Sequence, residues 1–206
     1  MCFSASASFI ASAGLGVLGA ASLKRAKKRE RLLALIPLLF AVQQFIEGLQ
    51  WLVVVSGKAS LALGYAYLFF AFLLWPTYIP FMALQLETRE RRKPALRFFL
   101  LLGIVMTVYL ASALLTHPVA ISVFERHISC EINLPFAVIG AVIYVTIVTG
   151  SLIASSVQHV RIFGFLALFS SILAWQLYEA TFTSVWCFFA AVLSSVVYLH
   201  FHKKTT

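Results

Sequence analysis

A carboxylate and several amides lie close together in an otherwise apolar stretch of this chain. The segment reads Gln43-Gln44-Phe45-Ile46-Glu47-Gly48-Leu49-Gln50-Trp51. Spacings of three and four residues place most of its polar members on one face of a helix. An ionised carboxylate facing hydrocarbon is costly, so Glu47 must face the interior of a helix bundle, find partners or be protonated. There it either holds a ligand, a proton or a metal ion, or it ties two helices together by hydrogen bonds.

The three cysteines, Cys2, Cys130 and Cys187, offer a second kind of chemistry. One prediction is a disulfide between Cys130 and Cys187, which would leave Cys2 free. The alternative is a zinc site formed by these thiolates together with Glu47 or Glu131, because zinc accepts both thiolate and carboxylate ligands. The sequence contains no Cys-x-x-Cys and no His-Glu-x-x-His, so spacing does not favour the zinc alternative.

The composition restricts the class of protein that could position these groups. Of the 206 residues, 62% are hydrophobic and 11% are charged, whereas soluble domains have about 45–50% and 25%. A soluble domain of this size could not bury so much apolar surface, and a disordered chain needs low hydrophobicity. The predicted partner is therefore the lipid bilayer. No nucleic-acid partner is expected, because the basic residues flank apolar runs instead of forming a folded polar surface.

Seven apolar stretches are long enough to cross the membrane as helices, which takes about 20 residues each. They are Ala5–Leu23, Leu32–Val55, Leu61–Leu86, Leu96–Leu115, Phe136–Ser155, Ile162–Tyr178 and Val185–Phe201. None shows the alternation of apolar and polar residues that is typical of a membrane barrel. The predicted fold is all-α, a single domain over residues 1–206 built as a bundle of seven transmembrane helices.

The distribution of charge predicts the orientation of the bundle. The first, third and fifth connections and the carboxyl-terminal tail carry fourteen Lys and Arg residues, while the other side carries only Lys58 and Arg126. By the positive-inside rule, the amino terminus is outside and the carboxyl terminus is inside an inner (plasma) membrane. His200 and His202 are then expected at the inner membrane edge, where side chains extend towards the interface.

Two further patterns concern helix packing. Pro76 and Pro80 are four residues apart in the third stretch and predict a kink, which either serves packing or opens a cavity. Small residues recur along the first stretch and predict a close helix contact. They are Ala5, Ser8, Ser12, Gly16 and Gly19.

The chain resembles a family of uncharacterised bacterial integral membrane proteins with an MCFS(A)-type amino terminus. The resemblance rests on the opening Met1-Cys2-Phe3-Ser4-Ala5, on Pro37-Leu38-Leu39-Phe40, on the segment around Glu47, and on Ser184-Val185-Trp186-Cys187-Phe188. It implies a bacterial inner-membrane origin but supplies no activity. The residues that it implies as important are Cys2, Ser4, Gln44, Glu47, Trp51, Trp186, Cys187 and His200.

The predicted topology brings distant polar residues together near the outer side of the membrane. The first hypothesis is an outward-facing polar pocket that binds a small ligand or cation, in a receptor-like or transport module. Its predicted lining is Gln43, Gln44, Glu47, Trp51, Glu179 and Trp186. The second hypothesis is a membrane-embedded zinc-dependent hydrolase, in which zinc held by Cys2, Glu47, Cys130 or Cys187 activates a water molecule. The third is a structural or assembly partner without a site.

Overall fold

The computed structural model describes residues 4–56, 58, 60–124, 127–132, 136–177 and 182–202, and within residues 120–131 it describes the backbone alone. Seven helices in these ranges are long and apolar enough to cross a membrane. Their positions agree with the seven predicted stretches to within a few residues at each end. The seven-helix prediction is therefore confirmed at the level of helix number, length and composition.

Nine labelled helices make up these seven candidate spans in the described residues. They are α1 (Ala5–Arg25), α2 (Arg31–Val55), α3 (Leu61–Leu68), α4 (Trp75–Leu86), α5 (Lys93–Thr116), α6 (Ala137–Ala154), α7 (Gln158–Leu177), α8 (Phe182–Leu193) and α9 (Val196–His202). The π-helical segment Phe69–Leu74 joins α3 to α4, so these form one span, and α8 with α9 form another. Single 3₁₀ turns lead into α2 and α5.

A small hairpin is an addition to the predicted all-α fold. Strands β1 (Ala120–Phe124) and β2 (His127–Glu131) pair antiparallel in the connection between α5 and α6. Strand β1 contains Ile121, Val123 and Phe124, and β2 contains Ile128, which are residue types that favour extended backbone. The prediction assigned no structure to this connection, because a short hairpin gives a much weaker sequence pattern than a membrane helix.

Helices α1 and α2 pack closely because small residues face bulky ones across the contact. A Cβ atom added at Gly19 would lie 2.6 Å from Leu38, and one added at Gly48 would lie 2.6 Å from Phe9. The Ser12 hydroxyl donates a 2.8 Å hydrogen bond to the Ala41 carbonyl across the same contact. The predicted close contact is thus confirmed for Ser12 and Gly19. It is wrong for Gly16, where an added Cβ would meet nothing within 4 Å.

The third span is irregular before Pro76, where Phe69–Leu74 is π-helical; the predicted kink itself stays a prediction. Proline has no backbone N–H, so carbonyl groups in the preceding turns lose their usual helical donors. The Tyr144 hydroxyl donates to the Ala71 carbonyl, and the Thr107 hydroxyl donates to the Leu73 carbonyl at 3.3 Å. Side chains from α6 and α5 therefore stabilise the irregular backbone.

The basic connections meet at one end of the bundle. Arg29 donates to the carbonyl oxygens of Gln85 and Glu87, which links the first connection to the third. Arg92 donates to Ala154 and Ser155, which links the third connection to the fifth. We call residues 24–31, 87–93, 155–161 and 198–202 the basic end. The three internal connections that were predicted to share one side thus lie together.

The outer surface of several helices is apolar. Leu101 and Val108 of α5 are 60% and 64% exposed, and Val142 of α6 is 60% exposed. Large aliphatic side chains on the surface of a monomer are unfavourable in water but are favourable against lipid tails. This surface agrees with the membrane-protein class that the composition predicts.

Candidate functional site

The polar side chains predicted on one face of α2 are buried inside the bundle. Gln43, Gln44, Glu47 and Gln50 are each 0% exposed. Ser8 of α1 is also 0% exposed, and the adjacent contact of Phe9 with Gly48 puts it level with this part of α2. We call these five residues the polar cluster. The burial arises because α2 is packed between neighbouring helices: α1 meets it at Gly48 and Ala41, and α4 meets it where Trp75 contacts Gln43.

Hydrogen bonds from Gln44 and from Trp75 orient side chains of the polar cluster. Gln44 Nε2 donates to Glu47 Oε2 at 2.8 Å. Trp75 Nε1 donates to Gln43 Oε1 at 2.8 Å, and the Trp75 ring in turn stacks on Phe40. Because an indole nitrogen can only donate, the bond from Trp75 fixes which end of the Gln43 amide carries oxygen. The Gln43 NH₂ group is thereby directed away from Trp75.

Several atoms of the polar cluster have no hydrogen-bond partner in the part of the chain that the structure describes. They are Ser8 Oγ, Gln43 Nε2, Gln44 Oε1, and both Oε1 and Nε2 of Gln50. Buried polar atoms are nearly always paired in folded proteins, and an unpaired one costs about 1–3 kcal/mol. Both donors and acceptors are present in this set. The polar cluster therefore has hydrogen-bonding capacity for an additional group.

Cys187 and Trp51 lie against the polar cluster on its apolar side. The Cys187 thiol is free and buried, next to the side chains of Gln43 and Tyr67 and within electrostatic range of Glu47. Trp51 belongs to the same group of packed residues as Cys187 and Tyr67. Sequence reasoning missed Tyr67. Its hydroxyl group, in the otherwise apolar first part of the third span, could have marked it as a candidate site residue.

Trp186 has a different environment from Trp51. Its indole nitrogen donates to the Ala167 carbonyl at 3.0 Å, and its ring stacks on Phe182 and meets Tyr144 edge-on. These contacts join α8 to α7 and α6. The two rings belong to separate groups of buried residues, and their predicted role as walls of one pocket stays a prediction.

A small apolar cavity lies beside Trp75 and Cys187, and no residue of the polar cluster lines it. Its volume is about 30 Å³, and its lining includes Phe40, Trp75, Tyr144, Trp186 and Cys187. A water molecule needs at least about 10–15 Å³ measured in this way, whereas sites for organic ligands typically have about 300–1,000 Å³. The cavity thus has room for an occupant of a few atoms at most, and it is not the predicted polar pocket.

The remaining predicted site residues lie partly outside the described residues. Cys2 and Glu179 fall outside them altogether. Cys130 is described by its backbone, which is opposite Ile121 in the hairpin. The disulfide between Cys130 and Cys187 therefore stays a prediction, although Cys187 is a free thiol in this structure. No group of three or more His, Cys, Asp or Glu residues that could hold a metal ion is present among the described residues, and the zinc site also stays a prediction.

Two residues singled out by the resemblance have roles that the geometry explains. Ser4 caps the amino terminus of α1, where its hydroxyl accepts a 3.1 Å hydrogen bond from the Ala7 amide. His200 is buried, with its Nε2 3.4 Å from Glu30 Oε1 and its ring against His159. The expectation that His200 extends from the membrane edge is wrong, because α9 packs back against the first connection and covers it.

Glu87 is a buried carboxylate at the basic end that sequence reasoning missed. Its Oε1 accepts from the Thr88 and Arg89 amides at 2.9 and 2.7 Å, and its Oε2 accepts from the Ser156 amide at 2.7 Å. The Ser156 hydroxyl adds a further bond at 2.7 Å. Burial raises the pKa of Glu87, but the hydrogen bonds from Ser156, Arg89 and Thr88 together outweigh it, so the net pKa is lowered. The sequence did contain a signal for it, because Glu87 is an acidic residue at the end of a span, directly before a strongly basic connection.

The fold and the polar cluster together define a class of protein, namely a seven-helix bundle with an apolar outer surface and polar side chains sealed between its helices. Within that class, the chain matches the family of unknown function DUF6629 over residues 1–206. The chain belongs to this family. No curated protein and no solved structure matches it.

Proposed function

We propose that this protein is a multi-pass integral protein of the inner (plasma) membrane with its amino terminus outside, and that its polar cluster binds a small ligand or cation. It would act as a receptor-like or transport module. The observation that carries the proposal is the set of unpartnered donors and acceptors around a buried carboxylate. Ionisable residues at membrane depth are commonly functional, because burying them without a purpose is costly.

Each member of the polar cluster has a distinct part in this proposal. Glu47 supplies negative charge, and Gln44 holds one of its oxygens through the 2.8 Å bond. Trp75 presets the Gln43 amide, so that its NH₂ group is available to the occupant. Preset groups of this kind lower the entropic cost of binding, because their rotamers are already restricted.

The hypothesis of a purely structural role explains the polar cluster less well. A polar residue that only fixes helix packing gains stability from the hydrogen bonds that it makes. Gln50 makes no side-chain hydrogen bond within the described residues, so its burial is a net cost in the absence of an occupant. Binding would offset that cost.

The test is a thermal-stability screen of the purified protein in lipid nanodiscs. The panel contains chloride salts, free amino acids and polyamines. We expect at least one compound to stabilise the wild type, by about 2.7 kcal/mol at one hundred times its Kd, which is a rise of about 5 °C or more in Tm. The same compound should leave Glu47→Gln unchanged.

Glu90→Gln is the matched control, because it makes the same chemical change on a side chain that is 79% exposed at the basic end. It should respond to the compound as the wild type does. A panel in which no compound stabilises the wild type, or in which Glu47→Gln responds equally, would contradict the proposal.

A further inference from the structure

We propose that the basic end binds the headgroups of anionic phospholipids, whose acyl chains lie along the apolar surfaces of α1 and α5. This inference rests on the membrane-spanning part of the proposed function and not on ligand binding by the polar cluster. Three features support it: the excess of positive charge at the basic end, the partners of its carboxylates, and the apolar surface that adjoins it.

The basic end carries far more positive than negative charge. It contains eleven Lys and Arg side chains but three carboxylates, those of Glu30, Glu87 and Glu90. Like charges repel one another, and the repulsion is strongest within the Debye length of about 8 Å at physiological ionic strength. A negatively charged partner would relieve this repulsion. The basic side chains of exposed residues are those of Lys24, Arg25, Lys27, Lys28, Arg29, Arg31, Arg89 and Arg91.

The carboxylates of the basic end have other partners than these exposed cations. Glu87 accepts its hydrogen bonds from neutral amide and hydroxyl groups. Glu30 lies beside His200, and Glu90 forms an ion pair with Lys93. Within the described residues, Lys93 is the only Lys or Arg whose side chain pairs with a carboxylate. The charges of the exposed cations are therefore available to a partner outside the chain.

Two arginines gather these charges on one surface. Arg29 donates to two carbonyl oxygens at the end of α4, at 2.9 and 2.6 Å. Arg92 donates to two carbonyl oxygens at the end of α6, both at 2.9 Å. A carbonyl group carries no net charge, so both arginines keep their positive charge while they join the connections. The basic side chains of the first and third connections thus lie at a common surface.

The apolar surface next to these cations favours an amphiphilic partner. On α1, Val17 is 70% exposed and lies seven residues before the exposed Lys24, which is two helical turns along the same face. On α5, Leu101 is 60% exposed and lies four residues after the exposed Arg97. A phospholipid offers an acyl chain and a phosphate in this order. A nucleic acid offers phosphates without an acyl chain, so it matches the cations alone.

The test places the purified protein in nanodiscs that contain phosphatidylglycerol and phosphatidylcholine in equal amounts. Native mass spectrometry then counts the lipids that stay bound to the protein. We expect phosphatidylglycerol to be retained over phosphatidylcholine by about fivefold or more, because one basic side chain near an anionic membrane surface contributes a factor of that order. This preference should decline as the ionic strength rises, because salt screens exposed charges.

Variants assign the preference to the basic end. Lys24→Gln/Lys28→Gln should reduce it about twofold or more, because two exposed positive charges are removed. Lys24→Arg/Lys28→Arg keeps both charges and should behave as the wild type. Lys58→Gln is the control, because it removes an exposed lysine from the connection between α2 and α3, and it should also behave as the wild type. Equal Tm values in phosphatidylcholine nanodiscs would show that a lower preference does not come from unfolding.

Equal retention of the two lipids by the wild type overturns the inference, and this comparison decides even if a variant fails to fold. An unchanged preference in Lys24→Gln/Lys28→Gln overturns it as well. Binding of a labelled DNA duplex in phosphatidylcholine nanodiscs, without any lipid preference, overturns it in favour of a nucleic-acid partner. If phosphatidylglycerol is preferred but no compound of the stability screen acts, the inference stands and ligand binding by the polar cluster fails. A protein that does not enter nanodiscs overturns both.

Discussion

Three buried carboxylates in the described residues show how differently one residue type can be accommodated. Glu87 accepts four hydrogen bonds from neighbouring backbone and hydroxyl groups. Glu30 lies beside His200. Glu47 is held by Gln44, but its surroundings leave unpartnered donors and acceptors. Of the three, Glu47 is the carboxylate for which we propose a role in binding, while the hydrogen bonds of Glu87 indicate a structural role.

At the residue scale, we predict that Glu87→Gln destabilises the protein by about 1–3 kcal/mol at neutral pH. The variant places an NH₂ group where backbone amides donate. Because the pKa of Glu87 is lowered on folding from its ordinary value of 4.5, its stabilising effect is complete above that value. The effect is lost as the pH falls through the lower pKa of the folded state.

Thermal unfolding at pH 7 and at several values below pH 4.5 measures this prediction. The difference between wild type and Glu87→Gln should shrink towards the acidic end of the series. Glu90→Gln, in the same connection, should resemble the wild type throughout. A constant difference at every pH would contradict the prediction.

At the element scale, the irregular third span depends on its neighbours. The π-helical segment exposes carbonyl groups that Tyr144 and Thr107 satisfy, and Gly103 lets α5 approach the backbone at Pro76. Proline irregularities in membrane helices are tolerated when adjacent helices supply such partners. The π-helical segment and its packing against α5 and α6 therefore form a single structural unit.

We predict that Gly103→Ala destabilises the protein by about 3 kcal/mol or more. The added Cβ would lie 2.0 Å from the Pro76 carbonyl oxygen, and backbone atoms must shift to relieve that clash. Thermal unfolding in nanodiscs measures the loss. Gly140→Ala in α6 is the control, because its Cβ would meet nothing within 4 Å. Equal stabilities of the two variants would show that α4 and α5 are not in close contact.

At the scale of the whole molecule, charge and packing agree about which connections belong together. Fourteen basic residues were assigned to one side from the sequence, and hydrogen bonds join the first, third and fifth connections at the basic end. Contacts alone do not determine which side of a membrane that end faces. The asymmetry of Lys and Arg predicts the direction.

We predict that the basic end faces the cytoplasm when the protein is produced in a bacterial host. A fluorescent protein fused to the carboxyl terminus should be fluorescent, and alkaline phosphatase fused there should be inactive. Phosphatase fused after Lys58, in the second connection, should be active. The reverse pattern would mean that the orientation is opposite to the one proposed here.

The sequence by itself determined the number and limits of the candidate spans, the grouping of the basic connections, and the polar face of α2. These properties follow from hydropathy, charge and helical periodicity, which can be read from short segments of the sequence. The tertiary structure decided which side chains meet. The bond from Trp75 to Gln43, the burial of His200 beside Glu30, and the enclosure of Glu87 by Ser156 join residues far apart in sequence. Such contacts depend on the rotation and crossing of packed helices, and a single sequence carries no local pattern that specifies either.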